Sequence, residues 1–168
     1  MADLIPRERL QPALLDRLSD DAPQERQESR DERVMSWKRL RQSVVRDLEW
    51  LFNTTASFRG EETEQLGVVA ASTLNYGIPS FAGMQASGLN LPRVERLLRE
   101  CIWNFEPRLL RDSVRVRAVA SESMNRRAVT FEISARLWAV PVPIELLLRT
   151  EIDLESGAVM IAEPGTET

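Results

Sequence analysis

The hydrophobic period changes at residues 104–110, NFEPRLL, and no other feature constrains this chain as much. Upstream, Leu91, Val94, Leu97, Leu98, Cys101, Ile102 and Phe105 recur at three- and four-residue steps, the spacing of one face of an α-helix. Asn90 is placed to cap that helix and Pro92 falls in its first turn. Pro107 disfavours helical backbone at Glu106, so the spacing predicts a helix over 91–105 that stops there. Downstream the step becomes two. Val114, Val116 and Ala118 alternate with Arg115 and Arg117. Phe131, Ile133, Ala135, Leu137 and Ala139 alternate with Glu132, Ser134, Arg136 and Trp138. Leu146, Leu148, Thr150, Ile152 and Leu154 alternate with Leu147, Arg149, Glu151 and Asp153. These are three half-buried strands, with turns near 123–125 and 141–143. Glu155-Ser156-Gly157 reverses the chain into a short last strand over 158–162. Helices first and an antiparallel meander afterwards make an α+β fold, N-terminal helices packed on a C-terminal sheet.

Three segments follow from composition along the chain. Residues 1–33 hold a short helix over 10–18, with Pro12 in its first turn and Leu14, Leu15 and Leu18 on one edge, and then a polar linker, SDDAPQERQESRDER. Such a tethered helix either docks on its own domain or is offered to a partner, and the sequence leaves both open. Residues 34–162 form the α+β domain, and 163–168 a loose tail. Within the domain, Trp37, Leu40, Val44, Leu48, Leu51 and Phe52 predict a helix over 36–52 with Ser36 as its N-cap. Residues 53–62 read as loop. The stretch from Gln65 begins as a short helix or a buried strand, and Asn75-Tyr76-Gly77-Ile78-Pro79 is a turn in which Gly77 takes positive φ. Tyr76 there anchors the loop or faces a partner; its chemistry favours the anchor.

Composition excludes several functions. With 43% apolar and 29% charged residues the chain is an ordinary globular protein of 168 residues, enough for one core. A net charge of −4 gives no support to a nucleic-acid binder. The absence of histidine removes Ser-His-Asp, Cys-His and imidazole zinc sites. The single Cys101 lies on an apolar helical stripe and reads as a small core residue in a reducing compartment. The most apolar stretch, 137–148, is too short for a bilayer and is interrupted by Pro141, Pro143 and Glu145. No signal peptide is visible, so a cytoplasmic location is expected. No metal or cofactor is expected.

The junction admits three roles. In an extended segment side chains two apart point the same way, so Glu106 and Arg108 emerge side by side around Pro107. Glu106 as a catalytic acid, in glycoside hydrolysis, would want a second carboxylate across the scissile bond, and nothing fixes Asp112 there. As a structural surface pair the two would contribute roughly 0–1 kcal/mol. As a rigid charged corner they would dock on another chain, Arg108 offering its planar fork.

The order LNYGIPSF at 74–81, a helix, FEPRLL at 105–110 and the strand VRVRAV resembles the type VI secretion baseplate subunit family TssE, together with the leading segment LIPRERLQPALLDRL. That family is similar to a wedge protein of contractile phage tails historically labelled lysozyme-like. The resemblance implies a non-enzymatic building block, similar in fold to the interlocking part of the sheath subunit, in a cytoplasmic baseplate docked at the inner-membrane complex. It implies TssF, TssG and TssK as wedge partners and the sheath proteins TssB and TssC as those it primes by strand pairing, with neither nucleic acid nor direct membrane insertion. Glu106, Pro107 and Arg108 carry the family's wedge-holding motif, and Asn75, Tyr76 and Gly77 its turn. The alternative is a peptidoglycan-degrading hydrolase acting through Glu106. The chain departs from the family after LFN, where Thr54-Thr55 intervene before the arginine usual soon after the asparagine. Residues 144–161, at the end of the meander, are the expected strand-accepting edge.

Overall fold

The structure, a computed structural model, describes residues 13–18, 24, 37–58, 65, 67–119, 127–139 and 142–163. The expected cap Ser36, Pro12, nearly all of the linker, the turn at 123–125, Pro141 and the tail beyond 163 lie outside the described residues.

Helix α1 is Leu14–Leu18, α2 Trp37–Phe52, α3 Gly67–Ala70 and α4 Leu91–Phe105. In α2 the stripe Leu40, Val44, Leu48, Leu51 and Phe52 is buried as its spacing requires. Trp37 departs from it and is 56% exposed, because the core begins one turn later at Leu40. The ambiguous stretch after Gln65 resolves as the helical turn α3, none of whose residues is buried. At the start of α4, the Asn90 side chain accepts the Arg93 N–H at 3.1 Å. That bond satisfies one of the orphan donors of the first turn. The Glu106 N–H still reaches the Ile102 carbonyl at 2.8 Å, and Glu106 then leaves helical geometry at φ −122°, ψ 77°.

The strands are β1 Arg115–Val119, β2 Ala128–Leu137, β3 Ile144–Asp153 and β4 Val159–Ala162, in the antiparallel order β1-β2-β3-β4. Their register opposes Arg117 to Glu132, Glu132 to Arg149, and Glu151 to Met160. The inward set Val116, Phe131, Ile133, Leu137, Leu146, Leu148, Ile152 and Val159 is buried, while Glu132, Arg149 and Glu151 face outward. Each fully buried aliphatic or aromatic side chain of this set stabilises the fold by about 1.5–3 kcal/mol over exposure. Helix α2 packs along β4 and α4 along β1, so both helices cover one face of the sheet. The α+β arrangement expected from the period change is the one observed.

Candidate functional site

The corner between α4 and the sheet is built from three parts of the chain. Arg108 O accepts the Trp138 N–H at 2.8 Å and Leu110 N donates to Arg136 O at 2.9 Å. Leu109 thereby bridges to Leu137, so the segment after Pro107 continues along the end of β2. Its side chains turn inward. Glu106 is only 3% exposed, and Pro107 is the exposed residue of the motif. Arg108 grips Glu106 with its fork, Nε to Oε1 at 2.7 Å and Nη2 to Oε2 at 2.5 Å. The Arg108 backbone N–H adds a third bond to Oε1 at 3.1 Å. On its other side Arg108 donates to Asp47 Oδ2 at 2.5 Å and to Ser43 Oγ at 3.2 Å, both from α2. The Ser43 hydroxyl in turn donates to Leu40 O at 2.9 Å, so it is satisfied in both senses.

Charge therefore alternates along a continuous chain. Asp47 is also bonded by Arg46, which reaches Asp16 of α1 at 2.8 Å. Asp16, Arg46, Asp47, Arg108 and Glu106 link α1, α2 and the corner. Burial alone would depress the Arg108 pKa, but the bonds and charge of Glu106 and then Asp47 raise it above the ordinary arginine value. The guanidinium is permanently charged. The surface-pair magnitude does not carry over to this geometry, since a buried carboxylate stripped of its partner costs about 3–5 kcal/mol. Helix α1 is docked on its own chain by Asp16, and its apolar edge points outward, with Leu14 71% and Leu18 74% exposed.

The Asn-Tyr-Gly turn stands behind this corner. The Tyr76 ring meets Phe105 edge-on, centroids 5.3 Å apart, and its hydroxyl donates to the Asp47 carbonyl at 3.4 Å. Burial first, and then Asp47, Cys101 and Glu106, raise the Tyr76 pKa. Asn75 is buried, accepting from Phe58 N at 2.8 Å and donating to Ala70 O at 3.1 Å. Gly77, at φ +123°, lies so close to Thr54 and Ala56 that a Cβ there would strike their backbone. Thr54 is thus a backbone partner of the turn, since its carbonyl accepts the Ile78 N–H at 2.9 Å.

The sheet edges differ. Beside β1, Glu95 of α4 accepts the Ala118 N–H at 2.7 Å and occupies a position an added strand would need. At the start of β4, Asn53 exchanges two bonds with Val159, N–H to Oδ1 and Nδ2 to O, both at 2.9 Å. Beyond, β4 covers only Arg149 to Ile152 of β3. Asp153 N donates across to Ala158 O, so odd-numbered β3 residues aim their backbone groups at the β4 side. The backbone of Glu145 and Leu147 therefore faces that side with no strand opposite among the described residues.

Both oxygens of Glu106 are engaged by Arg108. A depression of about 200 Å³ beside residues 52–55, 78–80 and 156–158 has no ionisable side chain in its lining. Cys101 donates to Gly77 O at 3.1 Å, and burial pushes its thiol up to about 12, which disfavours the reactive thiolate. No cluster of metal-binding side chains and no helix long and apolar enough to cross a membrane occurs among the described residues. Glu106 and Arg108 stand together as their spacing predicts, whereas Asp47, Ser43, Arg46 and Asp16 join them from outside the motif. The available signal is the i, i+4 pair Ser43 and Asp47 beside the apolar stripe of α2.

The model of one protein family, baseplate wedge protein gp25, matches residues 38–142, more than half of the chain. The chain belongs to that family. Its role is that of a structural baseplate component, and it acts through contact with other baseplate components. No match was found among curated proteins or among solved structures.

Proposed function

We propose that this chain is a structural subunit of a type VI secretion baseplate wedge, which joins the wedge core to the first sheath ring and primes sheath assembly by strand pairing. The observation that carries this reading is the half-covered outer side of β3, where the backbone donors and acceptors of Glu145 and Leu147 have no strand opposite among the described residues. An incoming extended segment would gain main-chain hydrogen bonds there, the usual mode of strand addition. The chain's own continuation is poorly suited to the place. In the register of β4, residue 164 would have to donate to Leu147, and Pro164 has no N–H.

The wedge side is the corner. Pro107 and the outer rim of Arg108 form the contact with TssF, TssG and TssK, and buried Glu106 holds the arginine in place from beneath. Within the turn Asn75, Tyr76 and Gly77, Tyr76 supports that corner through Phe105 and Asp47. The sheath proteins TssB and TssC meet the β3–β4 edge. The subunit works in the cytoplasm, in a baseplate docked at the inner-membrane complex, and turns over no substrate. The engagement of both Glu106 oxygens supports the non-enzymatic reading.

Hydrogen exchange with and without sheath protein tests the proposal. Slower exchange at the Glu145 and Leu147 amides is expected on mixing, and unchanged protection across residues 144–162 would refute strand pairing. Release of sugar fragments from peptidoglycan, lost in Glu106→Gln, would instead establish the hydrolase.

A further inference from the structure

The outer face of α4 carries a charge opposite to that of the chain as a whole. Arg93, Arg96 and Arg99 follow one another at helical steps of three. Trp103 continues the strip, its ring flanked by the Arg99 guanidinium at 5.3 Å and the Arg111 guanidinium at 5.8 Å. Arg111 is held there by the Trp103 indole N–H, which donates to its carbonyl at 3.0 Å. Arg41, Arg46, Arg108, Arg127 and Arg136 all have carboxylate partners. The side chains of Arg93, Arg96 and Arg99 make no ion pair among the described residues. Glu100 is the one acid on that face, because Glu95 is turned to the β1 edge. Four arginines thus stand against one glutamate in a chain of net charge −4.

We propose that this strip, Arg93, Arg96, Arg99, Trp103 and Arg111, is a docking surface for an acidic segment of a partner protein. Tryptophan and arginine are the side chains that most often anchor protein interfaces. Guanidinium groups resting on an indole lose little freedom when they then donate to a carboxylate. From Arg93 to Trp103 the helix rises about 15 Å, the span of four or five residues of extended chain. A short acidic segment fits that length. A long polyanion would run past the strip into the field of the remaining, net negative surface, which disfavours nucleic acid. Helix α4 packs along β1, at the opposite side of the sheet from the β3–β4 edge, so the two surfaces can be engaged at once. The inference goes beyond the strand-pairing reading and does not depend on it.

The test is fluorescence anisotropy of a labelled Glu/Asp peptide with the purified full chain. Its Gln/Asn counterpart, a single-stranded oligothymidylate and anionic phosphatidylglycerol vesicles serve as comparisons. The acidic peptide is expected to bind most tightly, with affinity falling as salt rises. Replacing Arg93, Arg96 and Arg99 together by Gln is expected to weaken binding about tenfold or more. Replacing Arg117, Arg127 and Arg149 by Gln removes the same charge elsewhere and should change it by less than about twofold. Arg96→Glu alone, at an exposed position, gives the same reading if the triple variant folds poorly. Equal loss in both triple variants, no loss in the α4 variants, or tighter binding of the oligonucleotide or the vesicles would overturn the proposal.

Discussion

Replacing Arg108 by alanine is expected to destabilise the isolated subunit by about 3 kcal/mol. The substitution removes both fork bonds to Glu106 and the bond to Asp47, and leaves the backbone N–H on Glu106 Oε1. Asp47 keeps Arg46, and Ser43 keeps the Leu40 carbonyl. The cost therefore falls on Glu106, a carboxylate 3% exposed and left without a counter-charge. Removing one partner of a buried pair typically costs about 3–5 kcal/mol. The low end applies here, because the Arg108 side chain is 22% exposed and water can enter the space it vacates. For a chain of this size the melting temperature should fall by about 6–12 °C. Urea unfolding followed by tryptophan fluorescence would show a lower midpoint with an unchanged slope. Arg108→Lys should fall between, since an ammonium reaches one oxygen where the fork reaches two. The double variant Glu106→Gln, Arg108→Met removes both charges and should recover about 2 kcal/mol of the loss. A loss under about 1 kcal/mol in Arg108→Ala, as for an exposed pair, would refute the reasoning. So would a double variant no more stable than the single one.

Three other perturbations have definite signs. Thr150 is fully buried and its hydroxyl has no partner among the described residues, so Thr150→Val should raise stability by about 1 kcal/mol in the same urea assay. Gly77→Ala meets both a positive φ and the backbone of Thr54, and should lower the melting temperature by several degrees, a loss of roughly 2 kcal/mol or more. Burial raises the Cys101 pKa from 9.0 to about 12, so the unfolded state loses its proton first and stability should decline as pH rises from about 9 towards 12. A thiol reagent at pH 8 should modify Cys101 only in the unfolding range of urea, and Cys101→Ala should abolish that part of the alkaline loss.

What could be read from sequence here is what neighbouring residues do to one another. Pro107 acts on the residue before it, Asn90 on the turn after it, and alternation shows directly in β1, β2 and β3. The stop of α4, its cap and the meander are legible for that reason. Four residues carry too little period to tell the turn α3 from a strand. Trp37 obeys the spacing of its helix, yet the spacing does not say where along the helix the core begins. The corner shows the same limit. Side-chain parity correctly sets Glu106 and Arg108 together, but it is silent on what stands opposite. The partner Asp47 lies 61 residues earlier, and its approach depends on how α2 crosses the sheet. The docking of α1, which the sequence leaves open, is made through its acid, while Leu14 and Leu18 of its apolar edge stay exposed.

A sheet able to accept strands at both margins would let subunits link into filaments without end. Glu95, 2.7 Å from the Ala118 nitrogen, obstructs one of those margins. A strand that joins this sheet as proposed would do so at the far side, leaving no second margin to continue the series. Under the proposed strand pairing, the molecule would begin a row and would not stand in the middle of one. On that reading, one carboxylate on one helix would give the row its direction, and would set its first member apart from every later one.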